Sequence, residues 1–426
     1  MSIRQLFLAS GVALAIAAAT VQAQGAPATA VTLTQALLAA RNNIDVAIAR
    51  GNVSAARADI LSADHAPLPL LTGKLSSIDL QNGIGRGSPV DKRIDKSIGI
   101  DWTWERGNKR ALRTLAAQRT ASAAEADVED TQMQQLLATH AAYFDLLAAQ
   151  ERVQEIAEVE RSAAQLAGTA DRRVRAGDLA AQEAARTQIE AQRARLDVQA
   201  AELDRTRASI ALAQLMGLQG DAAQPAAETN WPRVDAVPQS AVDLAALVET
   251  RPDVRAAQTR VLAAQAQVDS AQAQRKTDVT WGASYDHYPS VSNKLIELRA
   301  TIPLQWGYRY EGEIARALAQ QTQAQDSLDK ARRVATTELV RLQQEALNSA
   351  RRLAGYDGDI VPRARKVADN AELAFNKGAM PLTDLLDARR TLRATLLEAL
   401  DARADYARAT GAWQLRTRPD ALLPAQ

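Results

Sequence analysis

From Ala111 to Gly217 the chain runs without a proline, and this feature constrains its fold more than any other. Proline stops or kinks a helix, so its absence permits one unbroken helix up to Gly177 and a second beyond it. The first, about 65 residues at 1.5 Å each, would reach on the order of 100 Å. No ordinary globular core is that deep, so the two helices are expected to fold back on each other as a hairpin. The turn is written at Arg175, Gly177, Asp178 and Leu179. After it, Ile189, Leu196, Leu203 and Ile210 recur at seven-residue steps, the period of a coiled coil.

A second hairpin follows the same plan near the C-terminus. Leu385, Leu392, Ala399, Tyr406 and Trp413 also step by sevens, and Leu382 and Leu396 widen the stripe. Lys377, Gly378, Met380 and Pro381 form its turn: Gly tolerates a left-handed backbone, and Pro fits only the start of the outgoing helix. Upstream of each hairpin lie a helical stretch, at 33–64 and 242–276, and a strand pair. Asp45, Ala55, Ala56, Ser62 and Ala63 return as Asp253, Ala263, Ala264, Ser270 and Ala271 at one constant offset. The chain therefore reads as a duplication. Residues 24–218 form the first repeat, with strands within 70–104 and a turn near 177. Residues 241–416 form the second, with strands within 278–304 and a turn near 378. A Pro- and Ala-rich linker occupies 219–240, and 417–426 is a C-terminal tail. Gly355, Gly358 and Pro362 predict a break or side insertion in the long helix of the second repeat.

Residues 1–23 combine an early positive charge at Arg4, a short apolar run and small residues before Ala23, the pattern of a secretory signal peptide. The mature chain is thus expected outside the cytoplasm. There is no cysteine, so neither a disulfide nor an acyl anchor on cysteine is expected. Lys and Arg number 51 against 50 Asp and Glu, interspersed along the helices, and no polybasic block argues for nucleic acid. After the signal no stretch is apolar for the roughly 18 residues a spanning helix needs, so a membrane part would have to be strands closed into a barrel.

The strand pairs alternate apolar with polar or small residues, LLTGKLSSIDL with SIGIDWTW, and DVTWGASY with LIELRATIPL. Trp102, Trp104, Trp281, Tyr285, Tyr288 and Trp306 lie at or near strand ends, the level at which barrel aromatics meet lipid headgroups. Two hairpins on a soluble protein would also fit the periodicity. Four strands cannot close a barrel, since roughly eight or more are needed, so strands would have to be pooled between subunits. His65, His140 and His287 have no metal-site spacing, and no phosphate loop or nucleophile elbow is present. Enzymatic activity, a cofactor and a resident metal are not expected.

In the order of its parts, and in LTQALLAARNNIDV, RPDVRAA, IPLQWG, RAGDLA and NKGAMPLTDLLDARRTL, the mature chain resembles the TolC-type outer membrane factors of tripartite efflux pumps and type I secretion systems. Ile44 stands where that pattern has Pro; Pro252 keeps it in the second copy. The resemblance implies a mainly α fold with a β-barrel part: a homotrimer whose subunits pool four strands each into one twelve-stranded outer-membrane barrel, continued as a periplasmic α-helical tunnel. It implies partners too, namely outer-membrane lipid, a periplasmic adaptor protein that meets the helical turns, and an inner-membrane pump of the resistance-nodulation-division (RND) type. LTDLLDA resembles the segment that forms an acidic ring at the periplasmic gate, which marks Asp384 and Asp387, with Gln182 and Glu183 as first-repeat equivalents. ERGNKR, PLQWGYRYEGEIARA and GDLAAQEAAR look most like outer-membrane subunits of cobalt-zinc-cadmium exporters. Drug or solvent efflux, type I secretion, a periplasmic coiled-coil adaptor and a poreless envelope protein stay open as alternatives.

Overall fold

A computed structural model describes residues 30–88, 91–220, 224–234, 243–289, 291–418 and 422. The signal-peptide expectation at 1–23 lies outside them, as do parts of 219–240 and most of the tail.

The two repeats share one order of elements. The first comprises α1 (Leu33–Ala40), α2 (Ile44–Ala63), β2 (Leu70–Ser76), β3 (Asp95–Trp104), α3 (Lys109–Ala176) and α4 (Ala181–Met216), preceded by a short β1 (Ala30–Val31). A short β4 (Ala226–Ala227) precedes the second repeat. That repeat comprises α5 (Leu244–Thr250), α6 (Pro252–Ala273), β5 (Val279–Tyr288), β6 (Ser292–Thr301), α7 (Glu311–Gly355), α8 (Val361–Asn376) and α9 (Leu382–Thr417). At 68 residues, α3 is the single long helix its missing prolines predict.

Each opening helix is split where one was expected to be continuous, and the two splits are built differently. Asn43 caps α2 by accepting from the Asp45 N–H at 2.8 Å, so Ile44 takes the first helical position without proline. In the second repeat Pro252 starts α6, and Arg251, 3% exposed, pairs with Asp253 at 2.8 Å and Glu338 at 2.6 Å. Arg416 of α9 reaches the same Glu338 at 3.2 Å. The RPDV motif is thus a buried clasp tying α6, α7 and α9 together.

The expected break near Gly358 is instead a π-helical turn over Tyr356–Ile360, through which the helix continues into α8. Pro362, on the first turn of α8, has no N–H to give the regular ladder. The wider turn absorbs that gap without ending the helix. Nor is 224–234 a free tether. β4 pairs in parallel with β1, Gln150 bonds Ala227 through both its donor and its acceptor, and Trp231 stacks on Phe144 while donating to Glu151 at 2.6 Å.

The core is strung along the long helices. One cluster gathers Tyr143, Phe144, Leu146, Leu147 and Leu212 with Val31 and Ala227; a second gathers Val248, Val254, Leu339, Leu342 and Trp413; a third holds Leu37, Leu136 and Leu415. At the turns, Leu166, Ala371, Phe375, Leu382 and Leu385 close a fourth. The α9 stripe at Leu385, Ala399, Tyr406 and Trp413 is buried in this way. The α4 stripe is not: Ile189, Leu196, Leu203 and Ile210 are each at least half exposed, and α4 instead buries Thr187, Ala194 and Ala201. Small residues there let α3 and α4 approach closely and leave the large ones outside.

His140 lies on α3, 3% exposed, against Phe144. Burial alone lowers its pKa from 6.5 to about 4, because the low-dielectric site disfavours the imidazolium. Unfolded, the ring takes a proton near pH 6.5, whereas folded it stays neutral down to about 4. Stability should therefore be full above about pH 6.5 and fall by up to about 3 kcal/mol as pH drops toward 4. Thermal unfolding across this window is expected to show the loss, and His140→Gln should flatten it.

Candidate functional site: a two-faced sheet and two hairpin turns

The four long strands form one antiparallel sheet in the order β2-β3-β5-β6, so β3 and β5 join the repeats and β2 and β6 are open edges. Register fixes the faces. Ile100 pairs with Leu71 and Ala283, Trp102 with Trp281, Ile98 with Tyr285, and Tyr285 with Ile296. One face is thus apolar and open, with Ile296 79% and Leu298 80% exposed. The opposite face aligns Lys74 with Ser97, Thr72 with Gly99, and Asp101 with Gly282 and Arg299. Arg299 reaches across β5 to Asp101 at 2.8 Å. Gly282 makes that possible, since a Cβ there would overlap Asp101 Oδ1 and crowd Arg299 Nη2 at 3.1 Å. Such a sheet suits a wall with hydrocarbon on one side and water on the other.

Trp102, Trp104 and Trp281 lie on the apolar face at the end nearest the helices, each about half exposed, and Trp306 follows β6 at 86% exposure. Tyr285 sits further along the same face. Tyr288 ends β5 at the opposite end of the sheet from the tryptophans. A register shift between Asp286 and Tyr288 leaves it half-buried, within the field of Asp286, Glu297 and Asp95. Sequence alternation alone does not reveal a bulge. Among the described residues no helix is long and apolar enough to cross a membrane, and no group of three His, Asp or Glu is placed to hold a metal ion.

At the far end of the helices the two turns share one geometry. Gly177 (φ 82°) and Gly378 (φ 73°) hold left-handed conformations. The Asp178 N–H donates to Arg173 O and the Ala379 N–H to Ala374 O, both at 2.9 Å, which closes the helix ends. Arg175, Gly177, Asp178, Lys377, Gly378 and Pro381 are exposed and Leu179 is half-buried. Met380, also half-buried, packs on the Phe375 cluster, so it supports the turn from inside.

Asp384 and Asp387 stand one turn apart at the start of α9, both exposed. Asp384 accepts from Thr383 Oγ1 at 3.2 Å, and no cation pairs with either carboxylate among the described residues. Gln182 and Glu183 hold the matching place on α4. The nearby arginines are engaged elsewhere. Arg389 reaches Glu372 at 3.1 Å, Arg390 crosses to Glu190 of α4, and Arg393 crosses to Asp197 of α4 at 2.6 Å. These bridges span a cavity of about 840 Å³ between the hairpins, floored by Leu166, Leu386, Leu392 and Leu396. Sequence spacing could not reveal partners some 200 residues away.

Comparison with known proteins follows the same outline. The sequence pattern of the outer membrane efflux protein family matches residues 33–218 and 244–413. The cobalt-zinc-cadmium resistance protein CzcC of Cupriavidus metallidurans is 26% identical over 358 residues, 83% of this chain and 82% of that one. CusC, solved in studies of folding and transmembrane channel formation, superposes with a TM-score of 0.76 at 18% identity over 90% of this chain and 91% of its own. The outer membrane protein VceC of Vibrio cholerae superposes with a TM-score of 0.73, also at 18% identity, over 90% and 95%.

Proposed function

Because this chain belongs to the outer membrane efflux protein family, whose members are outer-membrane channels working with a periplasmic adaptor and an inner-membrane pump, we propose that it is the passive exit duct for divalent heavy-metal cations. The observation that carries the duct is the two-faced sheet with both edges open. A lone open edge in hydrocarbon would leave backbone groups unpaired, so β6 of one copy must pair with β2 of the next until a ring closes. Three copies of four strands give twelve, enough for an open barrel. The helical hairpins then carry the conduit away from the membrane toward the adaptor, which meets the two exposed turns. The cargo assignment rests on likeness to a protein named for cobalt, zinc and cadmium resistance.

No chemistry is asked of the chain. Three copies of Asp384 and Asp387, unpaired and close to the turns, would give a narrow axis a negative potential that favours cations and resists close approach of the copies. Glu183 adds to it from α4, with Gln182 beside it as a neutral hydrogen-bonding group. Each carboxylate is worth about 0.5 kcal/mol on a cation about 8 Å away in water. With two lost from each of three copies the unscreened total is about 3 kcal/mol, most of which salt screens at this distance, so Asp384→Ala with Asp387→Ala should lower cation over anion permeability at least several-fold in a planar bilayer and relieve block by divalent ions. Unchanged selectivity would remove these residues from the gate.

The proposal as a whole is tested by deleting the gene and restoring it from a plasmid. Growth should become sensitive to cobalt, zinc or cadmium and recover on rescue. Sensitivity confined to hydrophobic drugs would keep the channel and discard the metal cargo. A purified protein that stays monomeric and does not conduct would discard the channel.

A further inference from the structure

Where the sheet meets the helices, four cations adjoin one another without forming a salt bridge among the described residues: Arg106, Arg275, Lys276 and Arg309. Their adjacency follows from the local contacts. A Cβ at Gly107, next to Arg106, would press on Lys276 Cβ and Cγ, so these two segments touch. Arg275 and Arg309 both act on the Glu311 carboxylate, whose pKa is lowered first by the Arg309 backbone N–H at 2.7 Å and then by these charges. Gln305 fastens the segment after β6 to α6 by donating to Gln274 O at 3.2 Å. All four cations are exposed. Glu311 faces two of them and Asp278 is already engaged by Lys109, so positive charge is left over.

The same rim is apolar. Ile302, Leu304 and Trp306 alternate along the segment leaving β6 and are 51%, 67% and 86% exposed, with Tyr308 beside Arg309. Soluble surfaces seldom expose such a run. It continues the open apolar face of the sheet down to the level where the helices begin. Aromatic rings favour the headgroup layer, and cations beside them attract anionic phosphates.

Resting on the membrane-barrel reading above, we propose that this collar binds the phosphate headgroups of anionic phospholipids in the leaflet on the helix side. Trp306 and Leu304 sit among the upper acyl chains, and Arg275 and Arg309 hold the phosphates. A collar of this kind fixes the depth at which the barrel sits.

The test reconstitutes the full chain in phosphatidylethanolamine bilayers doped with either brominated phosphatidylglycerol or brominated phosphatidylethanolamine, and reads quenching of tryptophan fluorescence. The anionic lipid should quench at several-fold lower mole fraction, less so at high salt. Arg275→Gln with Arg309→Gln should remove most of that several-fold preference, since each cation near an anionic surface is worth up to about 1 kcal/mol, while quenching by the zwitterionic lipid persists. Trp306→Phe should remove most of the anionic excess, because its reporter is gone. Equal quenching by both lipids in the unaltered chain, or a preference that survives the double substitution, overturns the collar and leaves the barrel standing. No quenching by either lipid overturns the barrel and the collar with it.

Discussion

Leu196→Asp combined with Leu203→Asp is expected to abolish the heat-modifiable oligomer in outer-membrane fractions while leaving the helical content of the protomer unchanged. Within one copy these side chains are 64% and 50% exposed, so the protomer loses little by their replacement. Between copies the loss is large. The stripe from Ile189 to Ile210 is apolar at every seventh residue, the spacing by which one helix seats against another. Burying one leucine is worth about 1.5–3 kcal/mol, and a closed ring repeats the seam in every copy. A buried, unpaired aspartate adds a desolvation cost at each repeat. The control is Ala194→Asp, on the stripe that faces α3. There the charge enters the protomer's own packing, so helicity and oligomer should fail together. An oligomer of normal stability in the Leu196 and Leu203 variant would place the α4 stripe in solvent.

The same pair of stripes shows what a sequence can and cannot disclose. Ile189, Leu196, Leu203 and Ile210 announce a coiled-coil helix, and the helix is there. Thr187, Ala194 and Ala201 carry the identical period two residues earlier, about 200° around the helix and so almost on its opposite side. Periodicity gives both faces, and hydrophobicity favours the large residues. Packing chose the small ones, because α3 and α4 gain more from close approach than from bulk. Asp384 and Asp387 were readable as charges just past a turn, since Gly378 and Pro381 mark that turn by backbone chemistry alone. Their lack of a cationic partner among the described residues was not readable, because Arg389, Arg390 and Arg393, the cations that follow them in sequence, turn away to Glu372, Glu190 and Asp197 on other helices. The alternating strands were legible for the same local reason as the turns. The bulge before Tyr288, the two-residue pairing of β1 with β4 and the π-helical turn at Tyr356 depend on neighbours in space or on one missing N–H, and no pattern of residue types carries them.

Gly411→Ala should destabilise the protein by more than its one added methyl suggests, and His140→Ala should partly rescue it. Gly411 lies on α9 with its α-carbon against the His140 imidazole, and a Cβ built there would overlap the ring. The ring is boxed in by Phe144 at 4.9 Å and is 3% exposed, so it cannot swing clear without moving α3 from α9. Overpacking of this kind costs typically about 1–3 kcal/mol, and more where backbone must shift. Truncating His140 alone leaves a cavity and carries its own cost, about 2–4 kcal/mol by analogy with other large-to-small changes in cores. In the double variant the alanine methyl at 411 fills space the imidazole has left. The two losses should fall short of their sum by about 1–3 kcal/mol, the size of coupling found between residues in contact. Thermal unfolding of the detergent-solubilised protein at pH 7.5, where His140 is neutral folded or unfolded, isolates this steric term from the proton linkage. Strict additivity would mean that α3 and α9 are not held at this distance. Coupling together with a flattened pH profile in His140→Ala would assign one buried ring both jobs, setting the spacing of the two helices and limiting how acidic a medium they withstand.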